Sequence, residues 1–129
     1  MSFDKEHFNE TYRSLITISM EALKFLSLAN GGAAVAILAY LGSASANPSA
    51  NVPDMSSSMA SFLAGIFFCG LGFLFSYITQ LKLLGEIRGD SDEKLGHTFY
   101  LSVAVTFSFA SLLSFACGSW VAVGAFRSV

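Results

Sequence analysis

Residues 59–81, MASFLAGIFFCGLGFLFSYITQL, run for 23 positions without an Asp, Glu, Lys or Arg. The charge-free stretch around them extends from residue 55 to 81, and two more flank it, at 25–53 and 98–126. A helix that crosses the hydrocarbon core needs roughly 20 mostly apolar residues, and two crossings with a turn need roughly 40. Each stretch therefore holds one crossing. In lipid the backbone must satisfy its own hydrogen bonds, which a helix does within one segment. The reading is an all-α, integral membrane three-helix bundle, with its two termini on opposite sides.

The composition agrees. The chain has 129 residues, enough for one domain, of which 53% are hydrophobic and 12% charged. A typical soluble domain is about 25% charged. The net charge of −2, with no basic run, gives no reason to expect a nucleic-acid partner. Membrane lipid is the expected surroundings.

The crossings are placed at 25–41 (FLSLANGGAAVAILAYL), 59–81 and 99–123 (FYLSVAVTFSFASLLSFACGSWVAV). Lys5, Arg13 and Lys24 precede the first crossing, and Lys82, Arg88 and Lys94 lie between the second and third. The outer loop 42–58, GSASANPSANVPDMSSS, has neither Lys nor Arg. The positive-inside rule then predicts N-in/C-out, with the cytoplasmic turn at 82–98 and an outer tail at 124–129. Lys24 followed by an apolar stretch and Ala44-Ser45-Ala46 imitates a secretory leader, but the stretch is longer than such leaders use, so an uncleaved segment is expected.

Phe3, Phe8, Tyr12, Leu15, Ser19 and Leu23 recur near helical spacing, and no Pro or Gly intervenes before Gly31. One long first helix from about residue 3 to 42 is predicted, with a cytoplasmic amphipathic extension at 1–24. Ser56–Ser58 are candidate caps for the second helix, which is expected to reach about Arg88. The third is expected to start near Ser91, after a tight turn at Gly89.

Stripes of small residues are the clearest pattern inside the membrane. The second crossing carries Ser61, Gly65, Cys69, Gly72 and Ser76, and the third carries Ser102, Thr106, Ala110, Ser114 and Gly118, widened by Ser108 and Ser111. Small residues let helices approach closely where lipid supplies no hydrophobic drive. These stripes read first as seams between helices or protomers. Alternatively, Ser102, Thr106 and Ser114 line a weakly selective pore, since no ring of charge lies at mid-membrane. Phe67, Phe68, Phe73, Phe75, Phe107, Phe109 and Phe115 are assigned to lipid-facing or inter-protomer surfaces. In the first crossing Asn30 needs a partner, expected across a helix interface, and Gly31-Gly32 permit a bend or a close contact. Glu21 and Lys24, three apart, are expected to pair at the cytoplasmic interface, or with Lys82 to ring a cytoplasmic mouth.

No catalytic constellation, phosphate loop or metal spacing is present, so neither an enzyme activity, a cofactor nor a metal is expected. Cys69 and Cys117 lie in apolar stretches and read as small apolar residues.

The segment 27–42, SLANGGAAVAILAYLG, resembles segments of short uncharacterised bacterial multipass proteins, over about one eighth of the chain. The resemblance implies a bacterial inner membrane and no activity. The three-crossing, N-in/C-out plan is also similar to that of small immunity proteins against pore-forming bacteriocins, an analogy of topology that transfers no residues. A holin is disfavoured by the absence of a basic C-terminal tail and by the orientation. The leading expectation is a homo-oligomer forming or belonging to a pore-like, permeability-controlling assembly. The alternative is an immunity-type protein that docks another membrane protein without conducting.

Overall fold

The computed structural model describes residues 2–47, 49, 51–88 and 96–127, with side chains at 2–6, 8, 9 and 86–88 outside the description. These residues form three helices: α1 (Ser2–Ser45), α2 (Ser56–Arg88) and α3 (His97–Arg127). At 1.5 Å per residue they are about 66, 50 and 46 Å long, against a hydrocarbon core of about 30 Å. All three are long and apolar enough to cross a membrane. Large apolar side chains cover the outside, among them Leu28 at 75% exposure and Trp120 at 83%. Such a surface fits a membrane protein, because in water it would be one continuous sticky coat.

The first helix is as long as its sequence indicates, and it passes through Gly31-Gly32 unbroken. It ends in a tight turn, with Ala46 N–H donating to the Ser43 carbonyl at 3.3 Å and Asn47 N–H to Ala44 at 3.0 Å. The second helix ends at Arg88, as expected. Its cap differs from expectation. The Asp54 carboxylate, not a serine, accepts the Ser56 N–H at 2.9 Å, while the Met55 carbonyl takes the first helical bond, from Met59. Ser58 is thereby released to point inward. The third helix begins at His97 rather than near Ser91, because Gly96 lies outside it and accepts the Phe99 N–H in an opening turn at 3.1 Å. The tight turn expected at Gly89, and Ser91 itself, lie outside the described residues.

The helices pack side by side, α2 most extensively against α3 and α1 mainly against α2. Contacts pair rising numbers on one helix with falling numbers on the next: Leu23 with Cys69 and Gly72, Ser58 with Gly118, Gly72 with Ala104. α2 is therefore antiparallel to both neighbours. Along α2 the buried positions are Ser58, Phe62, Gly65, Cys69, Gly72 and Thr79. They alternate spacings of four and three, with half-buried Ser76 keeping the rhythm between Gly72 and Thr79. That 3.5-residue rhythm is the knobs-into-holes seam of coiled coils. α1 answers with Leu23, Leu26, Asn30, Ala34 and Ile37, and α3 with Ala104, Ser111 and Gly118, seven apart.

Two apolar clusters hold the ends of this seam. Leu23, Leu26 and Cys69, with Phe73 against them, form one. Ala34, Ile37, Met55 and Phe62 form the other, joined by Leu41, Phe115 and Ala122. Met55, 2% exposed, belongs to the connector between α1 and α2. The connector is thus no passive link, since its last residues plug the space where the helices end.

The aromatic residues divide into two sets. Phe67 and Phe109 face outward, as expected. Phe68 and Phe75 instead stack on Phe107, with centroids 6.1 and 5.5 Å apart, and Phe75 also stacks on Tyr100. Phe115 meets Phe62 inside the cluster around Met55. These rings lie between α2 and α3 because a ring can fill the wider gaps on either side of the small-residue seam.

Candidate functional site

Asn30 sits at the centre of the packing, fully buried. Its amide Nδ2 donates to its own helix at the Leu26 carbonyl, 3.0 Å away, and to Ser111 Oγ on α3 at 3.2 Å. Ser111 Oγ is 3.1 Å from Cys69 Sγ on α2, and Cys69 Sγ donates to the Leu23 carbonyl of α1 at 3.7 Å. If Ser111 donates to sulfur, one chain of donors runs α1 to α3 to α2 and back to α1. A polar group in lipid keeps a partner when it can, and here three helices supply partners to one another.

The amide reaches this place because Gly65 has no side chain. A Cβ at Gly65 would collide with the Asn30 amide, with its Nδ2 2.7 Å away. Asn30 Oδ1 is the one buried side-chain polar atom without a hydrogen-bond partner among the described residues. It lies against the Gly65 backbone, where weak Cα–H···O contacts form between close helices. Gly72 and Gly118 do the same work elsewhere. Gly72 makes room for Leu23 Cδ2 and Gly118 for the Phe62 ring edge, which would stand 3.0 and 2.9 Å from a Cβ at those positions. Beside it Ser58 Oγ donates to the Gly118 carbonyl at 2.7 Å.

The residues singled out from the sequence are thus distributed over three environments. Asn30, Gly65, Cys69 and Gly72 come together in the seam, with Gly118 at the end near Met55. Gly31 is half-buried, with Ile66 Cδ1 4.0 Å from where a Cβ would stand, and Gly32 faces open space. Ser61 and Ser76 are half-buried beside the seam, and Ser61 Oγ returns to the Ser57 carbonyl at 3.0 Å. Ser102 and Thr106 are exposed on the outside of α3, and Ser114 is half-buried. Their hydroxyls donate to Thr98, Ser102 and Ala110 carbonyls at 3.0, 2.9 and 2.9 Å, each four residues back. Such back-bonding satisfies a hydroxyl without any outside partner. Ser111 and Ser58, by contrast, carry the contacts between helices.

Near the N-terminal half of α1, Lys24 Nζ pairs with Glu21 Oε1 at 2.8 Å, both side chains more than half exposed. This is the expected (i, i+3) pair, on an outward face. Lys82 is half-buried, its Nζ 5.9 Å from the Tyr100 ring centroid, a cation–π distance. The carboxylate and the two ammonium groups therefore lie in different surroundings, one pair outward on α1 and one cation over α3.

Comparison with known protein families, with curated proteins and with solved structures finds no match to this chain.

Proposed function

We propose that the chain is a three-pass protein of a bacterial inner membrane, a three-helix bundle with its N-terminus inside, that assembles with further copies into a pore-like, permeability-controlling complex. The observation that carries this reading is the division between a closed interior and an outward hydroxyl face. Asn30, Gly65, Cys69 and Ser111 touch at the axis and leave no path through one copy. Permeation would have to run between copies. Thr98, Ser102 and Thr106 are hydroxyl positions that α3 holds outside, each one turn from the next. In a lumen each hydroxyl can exchange its bond to the helix backbone for one to water at little cost. Glu21 and Lys24 flank Leu23, which meets Gly72 at the level of Ala104, so this pair is the charge nearest the depth of Ser102 and Thr106.

The orientation rests on the Lys and Arg residues of 1–24 and 82–98 against none in 42–58. The N-terminal end of α1 would then lie on the cytoplasmic side of the assembly.

Purified protein reconstituted in planar bilayers is expected to conduct, and its detergent complex to have the mass of several chains. Silent bilayers together with a monomeric complex contradict the reading. Silent bilayers with stoichiometric co-purification of one other membrane protein would favour the docking alternative.

A further inference from the structure

We propose that two copies of the chain meet along the outward face of α1, where Glu21 and Lys24 of each copy pair with those of the other. This surface deepens the assembly reading and rests on it, though not on conduction.

The pair lies deep. Leu23 meets Gly72 of α2, and Gly72 meets Ala104 of α3. Both helices rise equally per residue, so Arg13, ten residues before Leu23, is level with Lys82, ten beyond Gly72. Lys82 closes the charge-free stretch 55–81. At 1.5 Å per residue Glu21 then lies about 12 Å inside that boundary and Lys24 about 16 Å inside. A hydrocarbon core about 30 Å thick and centred on the stretch takes in both residues. The sequence of α1 agrees, because residues 14–20, SLITISM, are uncharged and continue the crossing on the N-terminal side of the pair. The apolar span of α1 indeed reaches back to Glu10.

The pair also faces outward. Leu23, Leu26, Asn30, Ala34 and Ile37 form the buried side of α1. At about 100° per residue, Glu21 stands on the side opposite Asn30. The side chains of Glu21 and Lys24 are 65% and 57% exposed. Charged side chains within a crossing pair with one another and face protein or water, because lipid offers them no hydrogen bond. Here they turn away from the interior of the single copy, so the group that covers them comes from outside it.

Charge complementarity selects a second copy. Copies inserted in one orientation hold Glu21 at one common depth and Lys24 at another, a turn away. A two-fold axis along the membrane normal then brings the Lys24 of one copy to the Glu21 of its partner, and the reverse. Each carboxylate gains a second ammonium group, and the four charges close into a neutral ring. Any other covering protein would need a matched pair of its own at these two depths. Farther along the same face, a Cβ at Gly32 would meet nothing within 4 Å, and Ala36 is exposed one turn on. Two α1 helices have room to come close there.

The test is oxidative cross-linking, in membranes, of full chains that carry Cys117→Ala and one new cysteine, with the buried Cys69 kept. A disulfide-linked dimer is expected for Gly32→Cys and for Ala36→Cys. In the Ala36→Cys chain, Glu21→Lys and Lys24→Glu each leave two like charges, and each is expected to lower the dimer at least tenfold. Co-expressed, with one of them tagged, these two variants are expected to restore a mixed dimer, although neither chain retains a pair of its own. The cross-link between chains with native charges is read without either charge variant, and its absence at both positions overturns the proposal. If that absence accompanies a detergent complex with the mass of several chains, assembly stands and this surface falls; with a monomeric complex both fall. Like-charged chains that dimerise with themselves as readily as native ones also overturn the proposal.

Discussion

Gly65 carries no side chain where the Asn30 amide crosses from α1 to α2, and the contact leaves no room for one. Gly65→Ala is expected to cost about 1–3 kcal/mol by forcing α1 and α2 apart. Gly32→Ala, where nothing lies within 4 Å, is expected to stay within about 0.5 kcal/mol. Reversible unfolding in mixed micelles compares the two. The hydrogen bond from Asn30 to Ser111 is expected to show a coupling of about 0.6 kcal/mol, and no more than about 1.7, in a double-mutant cycle of Asn30→Ala and Ser111→Ala. A lone Asn in an apolar stretch announces that it needs a partner, so its burial was legible. Which partner it takes was not. Ser111 is one of seven serine and threonine residues between 98 and 119. Only the rotation of α3 about its axis distinguishes it from the rest.

That rotation belongs to the scale of the helix. A strict spacing of four advances about 400° along the chain, about 40° beyond a full turn at each step. The series Ser102, Thr106, Ala110, Ser114, Gly118 therefore winds around α3, from an exposed Ser102 to a buried Gly118. The alternation of three and four on α2, and of seven on α3, is what stays on one face, and it links Gly65, Cys69 and Gly72 to Ser111. The lengths of α1 and α2 were readable because nothing interrupts them. The true cap of α2 was harder to see, since three serines compete with Asp54 for the role. The Asp54 carboxyl is held below its ordinary value of 3.8 by hydrogen bonds from the Ser56 side chain and then its backbone N–H. A lowered carboxylate value means that its contribution is full above pH 3.8 and is lost as the pH falls through the lower folded-state value. An NMR titration of the Asp54 carboxyl carbon is expected to have its midpoint below 3.8, and Asp54→Asn to abolish that pH dependence of the start of α2.

For the whole molecule, the number of crossings follows from the charge-free stretches, and three helices long and apolar enough to cross a membrane are what the chain forms. What composition could not reveal is the division of labour among its hydroxyls. Those of Ser58 and Ser111 bind other helices, while those of Ser102 and Thr106 turn back on their own. In the proposed assembly the inward set builds each unit and the outward set meets water between several units. The most direct measurement is labelling by a membrane-impermeant thiol reagent of single cysteines placed along α3 from 102 to 114. The background carries Cys117→Ala, since Cys117 is exposed, and keeps the buried Cys69. Fast labelling is expected at 102 and 106 and slow labelling at Val105 and Leu112, which point away from that face, with reaction at the fast positions lowering conductance. Uniformly slow labelling along α3, in protein whose outer-loop Asn51→Cys still reacts, would contradict a lumen lined by these hydroxyls.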